Sequence, residues 1–105
     1  MKSPLNIILP LRMRKQLDSA CVELDIKISP SVRHSIRKYI EKPWRIDQSA
    51  DRRCLNDDQG RLQILLDDRL HAAFKTATDA AETTCSAVVR SIISQIIKKA
   101  AKAVK

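Results

Sequence analysis

The thiols of this 105-residue chain are Cys21, Cys54 and Cys85, and its imidazoles are His34 and His71. No two of these five are spaced as metal ligands, and no nucleophile lies in a pattern with a base. The adjacent carboxylates Asp57-Asp58 and Asp67-Asp68 fall where a linker and a helix start are expected, which is not the spacing of an acid–base pair. No catalytic residue, metal site or cofactor is therefore expected, and the chain does not read as an enzyme. Cys21 and Cys85 are expected to be small buried hydrophobes.

What remains is hydrogen-bonding and ionic chemistry, and the composition weights it strongly. Twenty Lys and Arg stand against 12 Asp and Glu, a net charge of +8. The charge is segmental: net +5 over 1–42, −1 over 43–60 and +4 over 61–105. A basic balance makes polyanions plausible partners. The single Gly excludes a Gly-rich phosphate loop or dinucleotide fingerprint. One Trp, one Tyr and one Phe are too few for an RNA-recognition stacking platform. No apolar run approaches a membrane span. The run Leu5 to Leu11 is short and lacks a small-residue cleavage site, so it does not read as a signal peptide. Free thiols and a cytoplasmic, nucleoid-associated location are the corresponding expectation.

The elements that must position this charge are revealed by an internal repeat. Sliding the chain on itself by 57 residues aligns 5–42 with 62–99 and gives 11 identities over 38 positions, without a gap. They include Leu5/Leu62, Ile7/Ile64, Leu9/Leu66, Arg12/Arg69, Ser29/Ser86, Val32/Val89, Arg33/Arg90 and Ile36/Ile93. Each copy opens with a strand pattern, aliphatic at 5, 7, 9 or 62, 64, 66. A helix start follows at Pro10 or Asp67, the one suited to a first turn and the other to capping. A stripe then marks a first helix: Met13, Leu17, Ala20, Leu24 in one copy and Leu70, Phe74, Ala77, Ala81 in the other. After a break, Ser29-Pro30 and Thr84 read as N-caps of a second helix. Its apolar positions are Val32, Ile36, Tyr39, Ile40 or Val89, Ile93, Ile96, Ile97.

A single strand–helix–helix unit of this size cannot close a core, whereas two can if their strands pair antiparallel over four helices. The expected organisation is a first repeat at 1–42, a linker at 43–60 and a second repeat at 61–105 with a basic C-terminal helix extension. The linker could span up to roughly 60 Å, enough for the copies to pair within one chain.

This grammar resembles the ribbon-helix-helix superfamily, which includes the Arc and MetJ repressors, over 5–42 and 62–99. In the second copy Thr84-Cys85-Ser86-Ala87-Val88-Val89-Arg90-Ser91-Ile92-Ile93 is similar to the family's Ser-x-Ser-x-x-Ile-Arg-x-x-Ile pattern. The first copy, Ser29-Pro30-Ser31-Val32-Arg33-His34-Ser35-Ile36, departs from it, with Lys27 where the family's first Ser usually stands. Neither copy has the family's usual Gly between its helices. The resemblance implies a mainly α fold: two repeats as an intramolecular pseudo-dimer with one two-stranded antiparallel ribbon and four main helices. It also implies insertion of the ribbon into the DNA major groove, where each base pair has a distinct donor and acceptor pattern.

If 5, 7 and 9 face the core, the outward set is Pro4, Asn6 and Ile8 from one strand and Arg61, Gln63 and Leu65 from the other. Asn6, Ile8, Arg61, Gln63 and Leu65 are then the base-reading candidates: amides suit adenine, Arg suits guanine, and aliphatics suit the thymine methyl. Ile8 and Leu65 depart from the polar or basic readers common in the family. The resemblance also implies phosphate contacts at the start of each second helix. Ser29, Ser31, Thr84 and Ser86 are candidates there, with Lys2, Lys27, Arg12 and Arg69 nearby. Arg33 and Arg90 could instead serve internal ion pairs.

Two features point to protein partners. The last helix is apolar on two adjacent stripes, so self-association through Val88, Ile92 and Ile96 is expected. The linker segment Pro43-Trp44-Arg45-Ile46 carries an exposed-looking Trp that suits a protein partner. The leading expectation is a sequence-specific double-stranded DNA-binding protein, most simply a transcriptional repressor. The alternatives are an accessory factor of plasmid transfer (a relaxosome component) and an antitoxin-type protein-binding module.

Overall fold

The computed structural model describes residues 2–46 and 59–103, excluding the side chains of Lys2, Gln59 and Ala103. Within these bounds the order is β1 (Lys2–Pro10), α1 (Leu11–Glu23), α2 (Ile28–Glu41), β2 (Gln59–Asp67), α3 (Asp68–Ala80) and α4 (Cys85–Ala103). The fold is mainly helical, with one two-stranded antiparallel sheet. Both strands run beyond the alternating segments and pass directly into a helix. Register pairs Leu5 with Ile64, Asn6 with Gln63 and Ile7 with Leu62.

Period-two alternation decides which face of the sheet is covered. Leu5, Ile7, Leu9, Leu62, Ile64 and Leu66 are buried. They pack over Leu17 of α1, Val32, Ile36 and Tyr39 of α2, Phe74 of α3, and Val88, Val89, Ile92 and Ile93 of α4. Each fully buried aliphatic or aromatic side chain contributes about 1.5–3 kcal/mol relative to exposure. No described helix is long and apolar enough to cross a membrane.

The helix starts correct three expectations. Pro10 and Asp67 are both N-cap residues, with φ −58° and −57°, and Asp67 makes no side-chain capping bond. Direct passage from strand to helix sets these angles; Pro is fixed near them by its ring, and Asp67 adopts them with its carboxylate exposed. Helix α2 begins at Ile28 with Lys27 at the N-cap, so Ser29 does not cap it. Pro30 then sits in the first turn, where a missing N–H leaves no intrahelical bond unmade. Thr84 does cap α4: its Oγ1 accepts from the Ala87 N–H at 3.1 Å.

The turns between helices explain how the chain manages without glycine there. Asp25 and Glu82, 57 residues apart, hold φ of 53° and 56°. Around Asp25 the Asp25 N–H donates to Val22 O at 3.2 Å and the Ile26 N–H to Cys21 O at 3.0 Å. Around Glu82 the bonds run from Glu82 to Asp79 O at 3.1 Å and from Thr83 to Thr78 O at 2.9 Å. Both are Schellman C-caps with a non-Gly residue in the left-handed region.

The linker and the last helix bring two further corrections. Of 43–60, only Pro43–Ile46 is irregular among the described residues, since Gln59 and Gly60 belong to β2; Cys54 and Asp57-Asp58 lie outside the described residues. Trp44 is half-buried rather than exposed. Its ring stands edge-on to Tyr39 at 4.9 Å, and its Nε1 donates to Ser91 Oγ at 3.3 Å. Val88, Ile92 and Ile96, expected to form a surface between chains, are buried within this one. Helix α4 packs against α1, α2 and β1, so its wide apolar surface is used internally.

Candidate nucleic-acid interface

The uncovered face of the ribbon is built by the same alternation that buries the other. Pro4, Asn6, Ile8, Arg61, Gln63 and Leu65 are all exposed. Register makes them three cross-strand pairs: Pro4 with Leu65, Asn6 with Gln63, and Ile8 with Arg61. Ile8 and Leu65 are 44% and 46% exposed, so no described element covers them. The result is a narrow face with two amides at its centre, an aliphatic side chain on either side, and one guanidinium. Such a face can donate and accept in one plane and offer methyl contacts beside it.

Two arginines fix the second helices to this ribbon. Arg33 Nη1 on α2 donates to the Leu65 carbonyl of β2 at 3.2 Å. Arg90 Nη1 on α4 donates to the Ile8 carbonyl of β1 at 2.7 Å. The donors are 57 residues apart, and so are the acceptors. Each Arg thus reaches across to the strand of the other sequence copy. Arg90 is buried, which strengthens a charge-assisted bond and makes its loss costly. Their place among the repeat identities was the sequence signal for this role, although the target, a carbonyl, could not be read from it.

These anchors tie the second turn of α2 to the Leu65 end of the ribbon and the second turn of α4 to the Ile8 end. Lys27 is exposed at the α2 N-cap, while Ser29 and Ser31 are half-buried in its first turns. Thr84 is exposed with its hydroxyl oxygen engaged in capping, and Ser86 is half-buried. Arg12 and Arg69 are exposed in the first turns of α1 and α3. Arg14 pairs with Asp18 on α1. The side chain of Lys2 lies outside the described residues.

The remaining reactive groups are not gathered into a site. Among the described residues no three His, Cys, Asp or Glu could hold one metal ion. Cys21 is buried, as expected, whereas Cys85 is only half-buried. Desolvation pushes both thiols up, opposed at Cys85 by the nearby Thr78 hydroxyl, so both are protonated at neutral pH. A groove of about 730 Å³ runs between α1 and the C-terminal half of α4, floored by Leu11, Ile97 and Ala100 and rimmed by Arg12, Lys15 and Glu23. Comparison with protein-family models, with curated proteins and with solved structures found no match to this chain.

Proposed function

We propose that this chain is a sequence-specific double-stranded DNA-binding protein, two ribbon-helix-helix units in one polypeptide that act as a pseudo-dimer. The observation that carries this reading is the exposed ribbon face, with Asn6 directly opposite Gln63 at its centre. A two-stranded ribbon has the width of the major groove, and amides and guanidinium are the groups that distinguish its base edges. The Arg33 and Arg90 bonds hold α2 and α4 to the two strands near their N-terminal ends, whose positive dipole ends suit phosphates. The net charge of +8 supports the same partner. Blocking a promoter as a repressor is the simplest use of such binding, and it needs no catalytic group.

An accessory role in plasmid transfer would use the same face. The antitoxin-type reading loses support because Trp44 packs against Tyr39. Self-association through α4 would have to use its exposed positions, such as Gln95, Lys98 and Lys99. A fluorescence titration of labelled duplex over a range of salt tests the proposal. DNA binding predicts a log–log slope of about −0.9 per phosphate neutralised, together with preference for some sequences over random duplex. Affinity insensitive to both salt and sequence contradicts it.

A further inference from the structure

The two ends of the ribbon are not equivalent, although the repeat makes their positions correspond. Position 4 is Pro and its counterpart 61 is Arg. Because strands run antiparallel, Arg61 lies opposite Ile8, whereas Pro4 lies opposite Leu65. The Ile8 end therefore has a guanidinium on the exposed face and the Leu65 end does not.

The helices that leave each end extend this difference. At the Ile8 end the chain enters α1, where residues 10–15 hold three cations, Arg12, Lys15 and Arg14, the last of them paired with Asp18 one turn on. At the Leu65 end it enters α3, and the corresponding residues 67–72 hold Arg69 with two carboxylates, Asp67 and Asp68. Asp68 accepts a 2.6 Å bond from Ser3 Oγ. The corresponding pair at the other end is Gly60 beside Leu11, where a Cβ on Gly60 would lie 3.3 Å from Arg14 Cβ. Lys27 at the N-cap of α2 and Lys2, the register partner of Asp67, offset part of the deficit at the Leu65 end. Asp67 continues the exposed alternation of positions 61, 63 and 65, so its negative charge belongs to the uncovered side of the ribbon at this end.

We infer that this chain binds a directional, non-palindromic DNA site in one orientation, with guanine specified only on the half beneath Ile8 and Arg61. This inference rests on the DNA-binding reading above. The centre, beneath Asn6 and Gln63, is shared by both halves. The half beneath Pro4 and Leu65 is read through apolar contact, and the strongest phosphate attraction lies at the opposite end.

Selection of bound duplexes from a random pool by the full chain, repeated with Arg61→Ala and Pro4→Arg, tests this. Both positions are exposed, and far-UV circular dichroism checks that both variants keep the fold. The expected enriched sequence lacks inverted-repeat symmetry. Arg61→Ala should weaken binding to it by roughly 5- to 150-fold, the range of one bidentate base contact, and abolish the guanine preference in one half only. Pro4→Arg should add a guanine preference in the other half. A palindromic enriched sequence, with Arg61→Ala acting equally on both halves, overturns the inference while leaving DNA reading intact. Failure to enrich any sequence overturns DNA reading and the inference with it.

Discussion

Asn6 and Gln63 lie directly opposite each other in the ribbon, and they are also separated by the 57-residue repeat. Only one pair in an antiparallel ladder can meet both conditions, because moving along it changes one number as the other falls. That pair marks the centre about which the two halves correspond. Both side chains are exposed, so they belong to the uncovered face of the ribbon and not to the core. Asn6→Ala combined with Gln63→Ala should change unfolding free energy by less than about 0.5 kcal/mol per site in urea titration.

The arginine anchors should be unequal. Arg90 is buried and its bond to the Ile8 carbonyl is 2.7 Å, whereas Arg33 is more accessible and its bond to Leu65 is 3.2 Å. Arg90→Ala should cost about 2–3 kcal/mol, near the upper range for a hydrogen bond from a charged group. Arg33→Ala should cost less than about 1 kcal/mol. Chemical denaturation of the two variants side by side measures the difference, and equal losses would contradict it.

The left-handed residues predict gains. Glu82 and Asp25 occupy a region where a Cβ costs roughly 1–2 kcal/mol, and Asp tolerates it better than Glu. Glycine recovers that cost but loses more chain entropy on folding. Glu82→Gly should therefore stabilise by about 0.5–1 kcal/mol, and Asp25→Gly by less. Differential scanning calorimetry reads the order of the two melting temperatures.

Alkaline pH should weaken the fold. Burial raises the Tyr39 phenol above its ordinary 10.0 and the Cys21 and Cys85 thiols above 9.0. The folded chain thus favours the protonated form of each. That stability is complete below the ordinary values and is lost as pH rises through the raised ones. Melting temperature should fall progressively above about pH 9. The Tyr39 hydroxyl is buried with no hydrogen-bond partner among the described residues. Tyr39→Phe should consequently be neutral or stabilising at pH 7, by up to about 1 kcal/mol, and should reduce the alkaline loss. A marked destabilisation at pH 7 would show that the hydroxyl is satisfied.

Much of this architecture is legible in the chain because its signals are local and occur twice. Alternation at 5, 7, 9 and 62, 64, 66 separates core from outer face without knowledge of the partner strand, and the six exposed positions follow directly. The helix boundaries follow less well. Ser29-Pro30 carries a capping signal, yet α2 starts before it, since Lys27 and Ile28 take up the turn that leaves the Schellman cap at Asp25. The second stripe of α4 resembles an interface because hydrophobicity alone does not say which surface covers it; in the fold α4 packs against α1, α2 and β1, and the stripe is buried within the chain. Trp44 looks exposed in sequence because Pro43 and Arg45 flank it, and only the fold brings Tyr39 and Ser91 to its ring. These are tertiary relationships, and neither periodicity nor propensity encodes them.

The central claim, that the exposed ribbon face reads DNA bases, is tested most directly by fluorescence anisotropy titration of the intact chain and of Asn6→Ala/Gln63→Ala. Both are titrated against a selected duplex and a random duplex at one fixed salt concentration. Base reading predicts a loss of about 1–3 kcal/mol per bidentate contact on the selected duplex, with little change on the random one. Equal losses on both duplexes, or no loss on either, would contradict it.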